Sequence, residues 1–171
     1  MDREEQLHRL KMKMIEWDRG DPKRIQHFLK VSSFAVTIAQ GERADEHTLF
    51  ILEALGYIHD IGIRIAETQY GRSDGPLQQK LGPPAAKAML EELDFDRADI
   101  ERICLLIANH HTYNSDIDGL DFQILLEADA CVNMYEKGSP ERARRAMLKN
   151  VFRTGSGKYI YKTMFDIHDE G

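Results

Sequence analysis

Thiols are scarce in this chain: 171 residues contain only Cys104 and Cys131. The two form no C-x-x-C pair and both fall in apolar helix-like patterns, so they read as reduced core residues; a disulfide framework and a thiolate metal pair are excluded. Alternating β-branched runs are nearly absent, which removes the main signal for a sheet. Long apolar runs are missing too. The longest unbroken one, Ile103 to Ala108, is far too short to span a bilayer. Positive charge is in deficit, with 23 Lys and Arg against 29 Asp and Glu and a net charge of −6. No global field would therefore draw in nucleic acid or an acidic membrane, although a local basic pocket for a small phosphate compound stays open. The N-terminal Met-Asp-Arg-Glu-Glu is charged where a secretory signal would be apolar, and a cytoplasmic protein is the expectation.

What is present is enough apolar material for a core, 42% of residues, and 30% charged residues for a hydrated surface. The length suits one compact domain. Leu7, Leu10, Met14 and Trp17 mark a first helix over residues 1–18. Asp21-Pro22 opens a second, with Asp as cap and Pro in the first turn, carrying His27, Val31, Phe34, Ala35 and Ile38 on one side. Asp45 can cap a third, through Leu49, Leu52, Leu55 and Ile58 to His59-Asp60. Residues 67–84, rich in Gly and Pro, read as a loop with at most a helical turn near Leu77–Leu81, followed by a short helix from Pro84 to Leu93. Asp96 or Asp99 caps the next helix, through Ile100, Ile103, Leu106, Ile107 and His110. A polar loop from Thr112 to Asp121, with Asn114 and Ser115, leads to a helix through Phe122, Leu125, Asp129 and Val132. A helix over about 140–152 and a final amphipathic stretch complete the chain. The expected architecture is an all-α, single-domain bundle of six to eight helices. It divides into an N-terminal helix (1–20), a helical domain (21–136), and C-terminal helices (137–171) packing on that domain.

Four helices place a polar, metal-competent residue where an apolar stripe would continue: His27, His59 with Asp60, His110, and Asp129. One such residue is usually a hydrogen-bonded core group. Several on separate helices are harder to satisfy one by one than by convergence on a single cation. Two imidazoles and two carboxylates suit a divalent ion of the Mn, Fe, Co, Ni or Zn type, with Mg left open, better than calcium or a structural thiolate site. Such an ion lowers the pKa of a bound water and polarises a phosphoryl oxygen.

The order of these residues resembles the HD-domain superfamily of metal-dependent phosphohydrolases. His27-x-x-x-Val31-x-x-x-Ala35-x-x-x-Ala39 looks like that family's first motif, His59-Asp60-Ile61-Gly62 like its signature pair, and Glu127-Ala128-Asp129 like its closing Ala-Asp. The resemblance covers roughly residues 22–135 and extends to small bacterial HD proteins. It implies an HD-type helical fold, a divalent metal held by His27, His59, Asp60 and Asp129, and hydrolysis of a phosphate ester or anhydride, often of a nucleotide. Many binuclear members carry a further His after the long loop. Here that region reads Gln78-Gln79-Lys80-Leu81-Gly82-Pro83, while His110-His111 resembles the other half of that ligand pair. One tightly held metal is therefore expected. Asp60, His110 and His111 are the candidate catalytic residues. Arg64, Arg72 and Lys80 are the candidate phosphate contacts. The expected partner is a small phosphorylated substrate, with no nucleic acid and no membrane; a homodimer is left open.

Two other classes compete with a hydrolase: a silent metal- or nucleotide-binding regulatory module, and a di-iron oxygenase, which needs a fuller ligand set. Gly155-Ser156-Gly157-Lys158 lacks the spacing of a phosphate loop and reads as a turn. Asp116-Ile117-Asp118-Gly119 lacks the acidic spacing and terminal Glu of a calcium loop. Glu53 stands as either a support for the metal site or a surface residue.

Overall fold

A computed structural model describes residues 1–113 and 116–169; Asn114 and Ser115 of the expected polar loop lie outside the described residues. It contains α1 (Arg3–Trp17), α2 (Pro22–Gly41), α3 (Glu46–Ile58), α4 (Gly62–Tyr70), α5 (Gly75–Glu91), α6 (Arg97–Ile107), α7 (Leu120–Glu136), α8 (Glu141–Val151) and α9 (Gly155–Phe165). No strand occurs among the described residues. The helix starts follow the sequence chemistry. Asp2, Asp21, Asp45 and Asp74 each accept a hydrogen bond from the backbone N–H three residues on, as does the hydroxyl of Thr154, which satisfies donors that a helix start leaves orphaned.

The centre of the bundle is α2 packed between α3 and α7. Its apolar stripe, Val31, Ala35, Ile38 and Ala39, is fully buried against Leu52 and Leu55 of α3 and Leu125 and Ala128 of α7. At the α2–α3 crossing Gly56 lies against Ser32 so closely that a Cβ would fall on the Ser32 backbone. The Ser32 hydroxyl donates to the Glu53 carbonyl at 3.0 Å across the same contact. This close approach draws together the turns that carry His27 and His59.

The segment expected to be a loop over 67–84 is mostly helical. After α4, only residues 71–74 link to α5, which runs unbroken through Pro83 and Pro84. Gly71 takes a left-handed φ of 67° to end α4, the conformation glycine adopts without cost. The two prolines remove donors to the carbonyls of Gln79 and Lys80. Lys80 is exposed and Gln79 half-buried, so water can reach those carbonyls and the helix survives. Gly62 and Gly82 form a second close crossing: a Cβ at 62 would meet the Gln78 carbonyl and the Gly82 backbone at 2.9 Å. This seats α5 over the end of the His-Asp turn.

The Gly155-Ser156-Gly157-Lys158 stretch is the first turn of α9. Its anion is internal. The fully buried carboxylate of Glu127 accepts from the backbone N–H groups of Arg153 and Thr154 at 3.1 Å each and from the Thr154 hydroxyl at 2.6 Å. The turn at Asp116–Gly119 is held by Arg102, which donates to the Asp118 carbonyl at 2.7 Å and to both carboxylate oxygens of Asp121 at 2.7 and 2.9 Å. Glu53 accepts the Tyr57 hydroxyl at 2.9 Å.

Candidate metal centre

His27 on α2, His59 and Asp60 at the α3–α4 corner, and Asp129 on α7 form a four-sided ring. His27 Nε2 lies 3.2 Å from Asp60 Oδ2 and 3.3 Å from Asp129 Oδ1. His59 Nε2 lies 3.3 and 3.4 Å from the same two atoms. Each imidazole thus faces both carboxylates, and imidazoles and carboxylates alternate around the ring. One donor atom each from His27, His59 and Asp60 falls within 4.8 Å of the others.

The tautomers follow from what lies behind each ring. His59 Nδ1 is 2.9 Å from the Gly56 carbonyl, an acceptor, so that nitrogen carries the proton and Nε2 faces the ring. His110 does the same through the Ile107 carbonyl at 2.7 Å. His27 Nδ1 is 2.7 Å from Glu136 Oε1, an arrangement in which a carboxylate orients a histidine whose other nitrogen meets a metal. With the Nδ1 atoms engaged, His27 Nε2, His59 Nε2 and Asp129 Oδ1 are left buried without a hydrogen-bond partner. Orphaned buried polar atoms are rare because desolvation costs each roughly 1–3 kcal/mol. Here three share one point, and all are metal-ligating types. The residues present fit a divalent cation.

The electrostatics agree. Burial would lower the pKa of His27, yet the Asp129 and Asp60 carboxylates raise it to about 9. Burial likewise opposes protonation of His59, and the charge of Asp60 with the contact to Asp129 holds it well above the usual imidazole value. Burial would raise Asp60, but His59, then His110 and His27, hold it well below the carboxylate range. Asp129 is lowered for the same reason, with His27 and His59 outweighing burial. Two carboxylates buried to this depth demand positive charge between them, from protons or from a cation.

Asp60 also looks the other way: its Oδ1 lies 3.3 Å from His110 Nε2. One donor atom each from Asp60, His110 and His111 forms a second group within 4.8 Å. There His111 Nε2 meets Gln78 Oε1 at 2.7 Å, while the Gln78 amide nitrogen donates to the Ser73 carbonyl at 2.6 Å. The amide orientation makes Nε2 of His111 a proton donor and leaves Nδ1 as its open nitrogen. Burial and the neighbouring His110 push the His111 pKa down to about 4, so it is neutral near pH 7.

A cleft of about 280 Å³ opens onto this ring. Its cationic side chains are Lys23, Arg24 and Lys137. Arg24 reaches Asp60 Oδ2 at 3.3 Å. Arg64, Arg72 and Lys80 do not line it: Arg64 donates to the Arg19 carbonyl at 3.3 Å, Arg72 pairs with Asp74 at 3.3 Å, and Lys80 is exposed on α5. Arg24 and Glu136 went unremarked in the sequence, though both have a positional signal. Arg24 precedes His27 by three residues and Glu136 follows Asp129 by seven, so each shares its partner's helix face.

Searches with protein-family models and against curated proteins find no match to this chain. Among solved structures it resembles a predicted HD superfamily hydrolase from an uncultured Thermotogales bacterium, with a TM-score of 0.64 and 22% identity over 95% of this chain and 84% of that one. The chain therefore has the fold of that protein, an all-helical HD-type bundle.

Proposed function

We propose that this chain is a metal-dependent phosphohydrolase acting on a nucleotide or another small phosphate ester or anhydride. The observation that carries the reading is the meeting of three orphaned buried atoms, His27 Nε2, His59 Nε2 and Asp129 Oδ1, beside the Asp60 carboxylate. These four residues would hold one divalent ion. Bound there, such an ion supplies a water of lowered pKa and polarises a phosphoryl oxygen.

The protein's own groups would do the remaining work. Asp60, with one oxygen on the ring and the other toward His110 Nε2, is the group that accepts a proton from the attacking water. His110 has its Nδ1 tied to the Ile107 carbonyl, so Nε2 can take that proton onward or stabilise developing charge. Lys23, Arg24 and Lys137 set positive charge around the cleft for phosphate oxygens. One ion per chain is expected, because the stretch Gln78–Pro83 supplies no histidine to complete the second group.

Elemental analysis and a panel of nucleotides and phosphoesters, run on wild type and Asp60→Ala, test this. Wild type loaded with Mn, Fe, Co, Ni or Zn should retain about one ion per chain and cleave at least one substrate. Asp60→Ala should lose ion and activity together while keeping its helicity. Metal retention without turnover of any substrate would assign a silent binding module instead, and two irons per chain would favour an oxygenase.

A further inference from the structure

The charge of this chain is unevenly spread. Residues 142–165 contain seven of its 23 Lys and Arg and none of its 29 Asp and Glu. In the fold those residues form α8, α9 and the link between them, and a groove of about 520 Å³ runs between the two helices and the C-terminal tail. Arg145, Lys149 and Arg153 stand on one wall, Lys158 and Lys162 on the other. The floor is apolar, formed by Leu148, Phe152 and Ile167, and His168 and Asp169 of the C-terminal tail complete the lining. The groove shares no lining residue with the metal-centre cleft.

Several features set this groove apart from a solvated basic face. Arg145 and Lys149 on α8, and Lys158 and Lys162 on α9, stand four residues apart, and like charges so placed on a helix repel one another. The repulsion is only partly answered. Arg145 pairs with Glu141 at 3.0 Å and Lys162 with Asp169 at 2.5 Å, while Lys149 and Lys158 have no acidic partner among the described residues. The Arg153 guanidinium is held rigidly by the carbonyls of Lys149, Asn150 and Phe152 at 2.9–3.2 Å, which fixes its position and leaves its charge in place. The volume is that of a small-ligand site. On α8 Arg145 and Lys149 stand about 6 Å apart at the rise of an α-helix, and Arg153 continues the row beyond the helix end.

We infer that the groove between α8 and α9 is a binding site for a ligand carrying several closely spaced phosphates, separate from the metal centre. Two sources share that chemistry: the polyphosphate chain of a free nucleotide, and the backbone of a nucleic-acid strand. Phe152 is only 1% exposed and offers no face for a base to stack on, so recognition rests on the phosphates. The net negative charge of the whole chain does not oppose this, because charges farther than about 10 Å are screened at ordinary salt; the acidic groups at the groove itself are Asp169, which pairs with Lys162, and Glu141, which pairs with Arg145.

The test is a titration of the full chain with inorganic tripolyphosphate, ATP and a labelled single-stranded oligonucleotide at about 50 and 200 mM salt. Wild type should bind tripolyphosphate, more weakly at the higher salt. The double substitution Lys149→Glu with Lys158→Glu should weaken binding at least tenfold with unchanged helicity. Lys87→Glu, on an exposed part of α5, should leave binding as it was. Tripolyphosphate and ATP binding more tightly than the oligonucleotide identifies a free polyphosphate as the source. A tighter oligonucleotide with the steeper salt dependence identifies a strand. Binding that survives the double substitution but is lost in Arg24→Ala belongs to the metal-centre cleft and overturns the inference. A wild type that ignores all three probes also overturns it, and salt-sensitive self-association in that case would assign the groove to an acidic face of a second copy.

Discussion

At the scale of single residues, the candidate metal centre depends on the groups that orient its histidines. The Glu136 carboxylate fixes the His27 ring by accepting from Nδ1 at 2.7 Å, and Lys30 stands 3.5 Å from the same carboxylate. Without it the ring can rotate or take the other tautomer, and Nε2 no longer meets Asp60 and Asp129. Glu136→Ala should therefore lower affinity for a divalent ion roughly 10–100-fold with little change in helicity. A chelator-competition titration reads this directly, and affinity within twofold of wild type would refute a positioning role. His59 needs no such partner side chain, because the carbonyl of Gly56 on its own helix orients it.

At the scale of elements, the site is a product of two close crossings. Gly56 against Ser32 joins α3 to α2, and Gly62 against Gly82 joins α4 to α5. In the first, the obstacle to a side chain is backbone, which cannot swing aside. Gly56→Ala should therefore push the helices apart, cost about 1–3 kcal/mol of stability, and weaken metal binding as the His27 and His59 turns separate. Thermal unfolding alongside a metal titration checks both, and a stable protein with an unchanged site would show that the crossing has slack. The Glu127 carboxylate plays a comparable joining role, locking the first turn of α9 onto α7 two residues before Asp129.

At the scale of the whole molecule, stability should depend on pH through a carboxyl outside the His-Asp ring. Asp18 ends α1 and is buried; burial raises its pKa to about 6, outweighing the opposing charge of Arg24. A carboxyl whose pKa is higher folded than unfolded favours the fold when protonated. Its cost is absent below about pH 4, accumulates between about pH 4 and 6, and is complete above that. Asp18→Asn should thus raise the melting temperature at pH 7–8, by a gain of about 1–2 kcal/mol, and change it little at pH 4. An equal shift at both pH values would mean that packing, and not ionisation, is responsible.

Most of the helices, the Asp21 and Asp45 caps and the inward placing of His27, His59, Asp60 and Asp129 were legible in the sequence, because each rests on spacing along one chain segment. Three-and-four periodicity places a histidine on a buried stripe whatever the stripe later packs against. Three features were not legible. Residues 75–84 become helix because α5 is braced at Gly62 and Ile107 and its freed carbonyls lie toward solvent, so tertiary contact overrides the Gly and Pro signal. The cations around the cleft are Lys23, Arg24 and Lys137, drawn from the ends of α2 and α7; the loop arginines and Lys80 lie elsewhere. The tautomers were set by carbonyls and by a glutamate 109 residues from its histidine in sequence. Local pattern decides which face of a helix is polar, and only the crossing of helices decides which polar faces meet, since that depends on distances between segments that periodicity does not encode.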